Sequence, residues 1–463
     1  MFFHNIIGEV RKEFFSVPQK NQIESDAKMA KTYTEPARKI PIVDDVDIII
    51  AGSGPAGIGA AWAAAKHNAK TLLIESANVI GGMIIPGMMS HWTGTSGSSV
   101  FHEILERAYQ AQWPNENVNS QSKHYINHEK EKLILLEMLQ EVGVKIQLRT
   151  NIVDVIKKDN QLNGIITESK SGREAILCKT IIDCTGDGDI AAFAGIPFAI
   201  GREEDQGMQP ATLMFKIGGV DPKTAVYPGS FESLVDTPKG ELQAIAKKIL
   251  PKPAGHVLLY RSTIPGIVVV NMTNVTNVNG TDVRSISNAE IICAKQIPVI
   301  MDFLHEYVPG YEKAYVLSTA ANVGIRETRH IQGCYTMTAE DIVSGKTFQD
   351  WIATKCFFNF DIHNIAGAGL DAHGAQKKFH ADGTYTIPYR CCLPQRMDGL
   401  LVAGRAISGT HLAHSNYRAM PICTAIGQGC GTAAAVAIAN RQQLRDVDIA
   451  TVQKWLRDDG VQL

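Results

Sequence analysis

The first residues that could do chemistry are Gly52, Ser53, Gly54, Pro55, Ala56 and Gly57, a G-x-G-x-x-G run. It follows an apolar stretch, residues 46–51, and opens an alanine-rich one, residues 55–68. In such a turn the first glycine permits the tight bend and the second lets backbone approach a pyrophosphate. The third lets a helix pack closely on a strand. Free amides and the positive end of the helix dipole would face the anion. Glu75, with Ser76 beside it, ends a second apolar run 23 residues after Gly52. Its carboxylate can accept hydrogen bonds from ribose hydroxyls. The pattern predicts dinucleotide binding, and FAD and NAD share its geometry.

Two clusters carry titratable groups. Arg326, Glu327, Arg329 and His330 stand together. Two guanidiniums can clamp a carboxylate or build an Arg–Glu lattice between domains, and an imidazole can move a proton near neutral pH. His411, His414, Tyr417 and Arg418 form the second cluster, with His411 as a candidate base or substrate hydrogen bonder. Tyr389 and Arg390 are candidates to line the same cleft. His363, His373 and His380 are irregularly spaced and lack an acidic or cysteine partner at a diagnostic step, so no metal site is expected. Adjacent Cys391 and Cys392 would close a strained ring, and no CxxC pair exists, so no thiol relay is expected.

The elements that must position these groups follow from patterning. The chain has 463 residues, 45% hydrophobic and 20% charged, which excludes wholesale disorder and a disulfide-dependent miniature scaffold. A net charge of -2 gives no drive toward nucleic acid. Nine scattered cysteines read as reduced thiols and a cytoplasmic location. Phe2, Phe3, Ile6 and Ile7 are followed at once by Glu9, Arg11, Lys12 and Glu13, the wrong order for a signal peptide. No run of about 18 uncharged apolar residues is recognised, so no membrane span is expected. The N-x-T sequons at Asn271, Asn274 and Asn279 read as polar loop.

Strand, helix and strand are predicted over 46–51, 55–68 and 70–74, the opening of a parallel α/β unit. Helices follow over 98–113 and 128–141, the second with Leu133, Leu136, Met138, Leu139 and Val142 as its apolar face. Then come a strand at 144–148, a hairpin over 151–158 and 162–169, a strand at 175–182 and a helix at 190–194. A second domain with strands at 212–217, 256–260 and 266–271 and a helix at 286–307 is expected as an insertion, its sheet facing the nucleotide. A helical run around Trp351 leads into a His- and Gly-rich loop. A strand at 399–403 and helices at 420–439 and 447–457 close the chain. A short helix over 1–15 and a linker precede the first strand. The domains expected are an extension, 1–40; a nucleotide-binding domain, 41–200 and 346–463; and an inserted substrate or cap domain, 201–345.

Several blocks in order resemble one family. They are Glu35-Pro36-Ala37-Arg38-Lys39-Ile40-Pro41, the Gly52 turn with Glu75, Gly81-Gly82-Met83 with Gly87, and residues 183–189. Next come residues 324–329, Ile387-Pro388-Tyr389-Arg390, residues 401–405, Arg418-Ala419-Met420-Pro421 and residues 427–433. From about Glu35 onward the chain resembles the FAD-dependent oxidoreductases of glutathione-reductase-like fold, related to the fumarate reductase flavoproteins. The resemblance implies an α/β fold: a three-layer FAD-binding domain with an inserted α+β cap, and a tightly held FAD. It implies that Gly52, Ser53, Gly54, Ala56, Gly57, Glu75 and Ser76 hold the ADP half. It places Gly81, Gly82 and Met83 near the ribityl chain or isoalloxazine, Thr185, Gly186 and Asp187 on the adenosine or pyrophosphate side, and Gly404 and Arg405 on the ribityl-phosphate side. Asp187 and Asp189 would repel a diphosphate unless they cap amides or face ribitol.

Ser53 stands where many relatives carry Gly, and His330 where Arg is common, which bears on substrate charge. Relatives sometimes tether FAD through a histidine in the region of His91, but Met89-Ser90-His91-Trp92 lacks the pattern. The expected activity is hydride transfer between a small-molecule substrate and the flavin N5, with Arg326, Arg329, His330 and His411 as catalytic candidates. The alternatives are a flavoprotein reductase or dehydrogenase subunit passing electrons to NAD(P) or a protein partner, and a non-catalytic FAD-binding scaffold. The electron acceptor stays open, and a homo-oligomer is compatible.

Overall fold

The computed structural model describes residues 32–120, 122–370 and 383–463. Residues 1–40 separate as a unit of their own, and within them 32–40 form no regular element. The helix expected over 1–15 lies outside the described residues, as do His373 and His380.

From residue 41 the chain runs β1 (Ile42–Ala51), α1 (Pro55–Lys66), β2 (Thr71–Ile74), α2 (Ser99–Gln110), α3 (His128–Glu141), β3 (Lys145–Gln147), β4 (Asn151–Lys158), β5 (Gln161–Ser169), β6 (Gly172–Asp183) and α4 (Asp189–Ala194). It continues through β7 (Phe198–Ile200), β8 (Phe215–Gly218), β9 (Asp236–Thr237), β10 (Gly240–Glu241), α5 (Leu242–Ile249), β11 (Leu259–Arg261), β12 (Val268–Val270), α6 (Val283–Tyr307) and β13 (Tyr315–Thr319). The last elements are β14 (Arg329–Ile331), α7 (Ala339–Val343), β15 (Trp351–Cys356), β16 (Tyr385–Pro388), β17 (Leu400–Val402), α8 (His411–Tyr417), α9 (Met420–Asn440) and α10 (Ile449–Asp458).

Among the described residues the main sheet is mixed and seven-stranded, in the order β3-β2-β1-β6-β5-β4 with β17 also on β6. β6 is shared: its first half pairs antiparallel with β5, and its last residues pair parallel with β17. The parallel strands are apolar without alternation because both faces are covered. Ile48, Ile50, Leu73 and Leu401 face one core with α1, α2, α3 and α9. Ile49, Leu72, Ile181 and Val402 face another with α4. Register puts Ala51 beside both Ile74 and Asp183, and Asp183 beside Val402. All four strands therefore end at one carboxyl edge.

A third core lies around the antiparallel sheet β11-β12-β8-β13. Phe215, Ile217, Val268 and Val270 pack there against Cys293, Ile300 and Leu304 of α6.

Three expectations are corrected. Residues 351–356 form a strand rather than a helix. Trp, Ile and Thr suit a pleated surface, and all but Lys355 are buried. On α3 Met138 and Leu139 are buried as expected and Leu136 and Val142 pack against the core, but Leu133 is 46% exposed and Ile134 and Leu135 join the buried face. α9 is a 21-residue helix with no charged side chain, long and apolar enough to cross a membrane, although 18 of its 21 residues are buried inside the protein. It is the core helix against α1, where small residues let the two backbones nearly touch. A Cβ on Gly427 would come 2.7 Å from the carbonyl carbon of Ala56, and one on Gly431 2.9 Å from the Cα of Ala60.

Candidate functional site at the carboxyl edge

The G-x-G-x-x-G turn leaves β1 at this edge. Gly52 has φ +94°, and a Cβ there would meet the Cys184 carbonyl oxygen at 2.6 Å. A Cβ on Gly57 would run into the carbonyl of Gly52. Packing therefore demands glycine at both positions. Gly54 differs, since nothing lies within 4 Å of its ideal Cβ. It is the N-cap of α1, which has no side-chain cap and no acidic residue in its first turn. Open space at an uncapped helix N-terminus fits a diphosphate.

The neighbouring loops lock onto this turn. Glu75 accepts from the Ser53 N–H at 2.9 Å and the Ser53 hydroxyl at 2.5 Å. It also accepts from the Ser76 hydroxyl at 3.1 Å and the Ala77 N–H at 2.9 Å. Gly81 N–H donates to the Ser53 carbonyl at 2.9 Å. Gly82, at φ +50°, leaves room for Gly54, whose Cα would lie 2.7 Å from a Cβ there. Buried Asp183 organises the next loop: it accepts from the Thr185 N–H at 3.1 Å, the Thr185 hydroxyl at 2.7 Å and the Ala191 N–H at 3.0 Å. Burial pushes its pKa up to about 6. Gly186, at φ +84°, abuts the Arg405 guanidinium, and Gly404 sits where a Cβ would be 3.1 Å from that of Ala56. Asp187 accepts from Arg405 at 2.6 Å and the Thr328 hydroxyl at 2.8 Å, while Asp189 pairs with Arg329 at 2.7 Å. Both acids thus face arginines.

Beside these loops lies a cavity of about 330 Å³. Met83, Arg405, Ala419 and Met420 line it from the carboxyl-edge side, and Met214, Tyr260 and Asn271 from the antiparallel sheet. His91, Arg326, Asp361, His363 and Arg418 also line it. Arg418 donates to the Asp361 carboxylate at 2.8 Å, and His363 stands 3.4 Å from that carboxylate. Burial works to raise the Asp361 carboxyl, yet His363, Arg418 and Arg326 hold it well below the usual range. Burial lowers His363 and His91 to about 4, and burial with Arg418 nearby brings Arg326 down to about 10.

The four catalytic candidates do not share this cavity. Arg326 lines it. Arg329 is on β14, tied to Asp187 and Asp189 and lying over the Phe198 ring. His330, its neighbour on the same strand, points to the other face and is buried. It pairs with Glu327 at 2.9 Å, and His411 meets the same carboxylate oxygen at 2.7 Å. Although buried, Glu327 is held well below its usual pKa by these two imidazoles. His414 is lowered by burial and by His330, and its Nδ1 stands 3.9 Å from Glu327 without a hydrogen bond. Glu327, His330 and His414 bring ligand atoms within 4.8 Å of one another. The His330 and His411 contacts to Glu327 already satisfy that carboxylate.

Two further candidates fall elsewhere. Tyr389 is buried with its hydroxyl donating to the Leu444 carbonyl at 2.8 Å, and Arg390 pairs with Asp350 at 2.9 Å, so neither lines the cavity. Cys391 and Cys392 are free and buried, and burial raises both thiols. Arg418 joins Arg326 rather than His411. Sequence reasoning missed Asp361, Tyr260 and Asn271; the one signal was Asp361 two residues before His363.

A glycine turn, an acid at the next strand end and a cavity at a shared carboxyl edge fit a nucleotide-binding α/β protein. Residues 47–456 match the model of a family described as FAD dependent oxidoreductase, and the chain belongs to that family. It is an FAD-dependent oxidoreductase, and FAD is its cofactor. Thiamine thiazole synthase of Sulfolobus acidocaldarius is 29% identical over 169 residues, 32% of this chain. The match spans 58% of that relative's length. A geranylgeranyl bacteriochlorophyll reductase-like protein from Thermoplasma acidophilum superposes with TM-score 0.47 and 15% identity, over 89% of this chain and 83% of that one. A myxobacterial chondrochloren halogenase, a variant of the FAD-dependent halogenases, gives TM-score 0.47 and 12% identity over 90% and 79%.

Proposed function

We propose that the enzyme moves a hydride between a small organic substrate, held in the cavity of about 330 Å³, and the flavin N5. The observation that carries this reading is that one cavity touches both the carboxyl-edge loops, through Met83 and Arg405, and the antiparallel sheet, through Met214 and Tyr260. Bound FAD supplies a two-electron acceptor or donor. Gly52, Ser53, Gly54, Ala56 and Gly57, with Glu75 and Ser76, hold its ADP half in this reading. Gly81, Gly82 and Met83, then Thr185, Gly186 and Asp187, then Gly404 and Arg405, border the rest. Tyr260 and His91, with rings 4.9 Å apart, are proton-carrying groups in the cavity. Burial keeps the Tyr260 phenol protonated and the His91 imidazole neutral at pH 7.

We read the scaffold as a glutathione-reductase-like three-layer domain, related to the fumarate reductase group, with residues 201–345 as an inserted α+β cap. In support, helices cover both faces of the parallel strands, and the antiparallel sheet has its own core. We infer a cytoplasmic location from the nine free cysteines.

The test is anaerobic. The native protein should be yellow, release FAD on heating, and bleach with one class of organic donor before an added acceptor restores the colour. Bleaching by NAD(P)H alone would favour a reductase, and no bleaching across donors of every class would sink the hydride reading.

A further inference from the structure

One cation on the cavity lining has no ion pair of its own. Three arginines at the site have acidic partners: Arg329 with Asp189 at 2.7 Å, Arg405 with Asp187 at 2.6 Å, and Arg418 with Asp361 at 2.8 Å. Arg326 has none. Its Nη1 donates to the Pro210 carbonyl at 2.5 Å and the Thr212 hydroxyl at 3.0 Å, both neutral. No carboxylate among the described residues lies within 4.0 Å of its guanidinium. Besides Arg405, which Asp187 holds, the cavity lining offers a further cation, Arg418, and two carboxylates, Glu232 and Asp361, the latter already engaged by Arg418 and His363. Arginine does not shed its proton in proteins, so it stays a half-buried cation that Asp361 acts on only from beyond ion-pair distance. Such a charge is costly unless something pairs with it. Asn271 lines the same cavity with its side chain beside the Tyr260 phenol, and its buried Oδ1 has no hydrogen-bond donor.

We propose that the cavity takes a small organic acid, its carboxylate pairing with Arg326 and a hydroxyl or amino group of the same molecule donating to Asn271. This assignment rests on the cavity being the substrate site. It narrows the donor from any small organic molecule to a hydroxy or amino acid. Arg326 acts as the anchor, because its two neutral hydrogen bonds fix one edge of the guanidinium and leave the charge unanswered.

The test is a binding titration of the oxidised, FAD-loaded enzyme, read as a shift of the flavin absorbance. The probes are lactate, lactamide and propionate. Lactate should shift the spectrum, lactamide should bind at least about a hundredfold more weakly, and propionate about tenfold more weakly. Arg326→Gln should weaken lactate about a hundredfold with FAD content unchanged, and Arg326→Lys should recover part of the loss. Equal affinity for lactate and lactamide overturns the proposal, and that comparison needs no variant. So does a lactate shift undiminished in Arg326→Gln, or no shift by lactate up to about 100 mM. The readout requires no turnover. Failure here leaves hydride transfer standing, whereas lactate shifts in an enzyme that no donor bleaches would remove hydride transfer and leave the anion site.

Discussion

Gly54 and Gly57 stand three residues apart in one turn and answer to different constraints. Gly57 is fixed by the Gly52 backbone, whereas Gly54 borders open space. Gly54→Val should therefore fold with little loss of stability, yet lose FAD occupancy by about tenfold or more, since its side chain enters the diphosphate path. Flavin-to-protein absorbance ratios check this, and full occupancy in the folded variant would displace the diphosphate from this turn.

Glu131 is another case in which position decides chemistry. It is 1% exposed, it accepts from the Trp92 indole at 3.1 Å, and burial pushes its pKa from 4.5 to about 8. The folded state thus keeps a proton that the unfolded chain has released. The resulting stability is full below about pH 4.5 and is lost as pH rises to about 8, by at most about 1.4 kcal/mol per pH unit. Glu131→Gln removes that dependence. Urea midpoints of the two proteins should diverge in the variant's favour between about pH 5 and pH 8. Parallel curves would mean that the carboxyl keeps its charge in the fold.

At the scale of elements, the turn is built by the approach of α9 to α1. Gly427 and Gly431 lie against the backbone of Ala56 and Ala60, so α9 holds the helix that Gly54 caps. Gly427→Val should destabilise by roughly 3 kcal/mol or prevent folding, because backbone rather than a movable side chain meets the new methyls. Thermal melts check this, and an unchanged Tm would refute the contact. The same stretch shows how far pattern reading reaches. Its helix was legible from small apolar residues, but the role of its glycines was not, since nothing local says which helix they face. β14 is similar: Arg329 and His330 read as one cluster, and the alternation of a strand sends them to different neighbours.

At the scale of the whole molecule, the cavity is assembled from segments far apart in the chain: Met83 and His91, Tyr260 and Asn271, Arg326, then Asp361 and Arg418. Arg326 has no ion pair there, while Asp361 is engaged by Arg418 and His363. The sequence by itself determined the glycine turn, the strand-end acid, the order of most helices and strands, and the family. Those features depend on spacing within a few residues or on ordered blocks. Only the tertiary structure decided which charges meet, that Arg326 rather than Arg329 faces the cavity, and that α9 is a core helix. Ion pairing and desolvation depend on distance through space, and chain folding sets those distances between residues hundreds of positions apart.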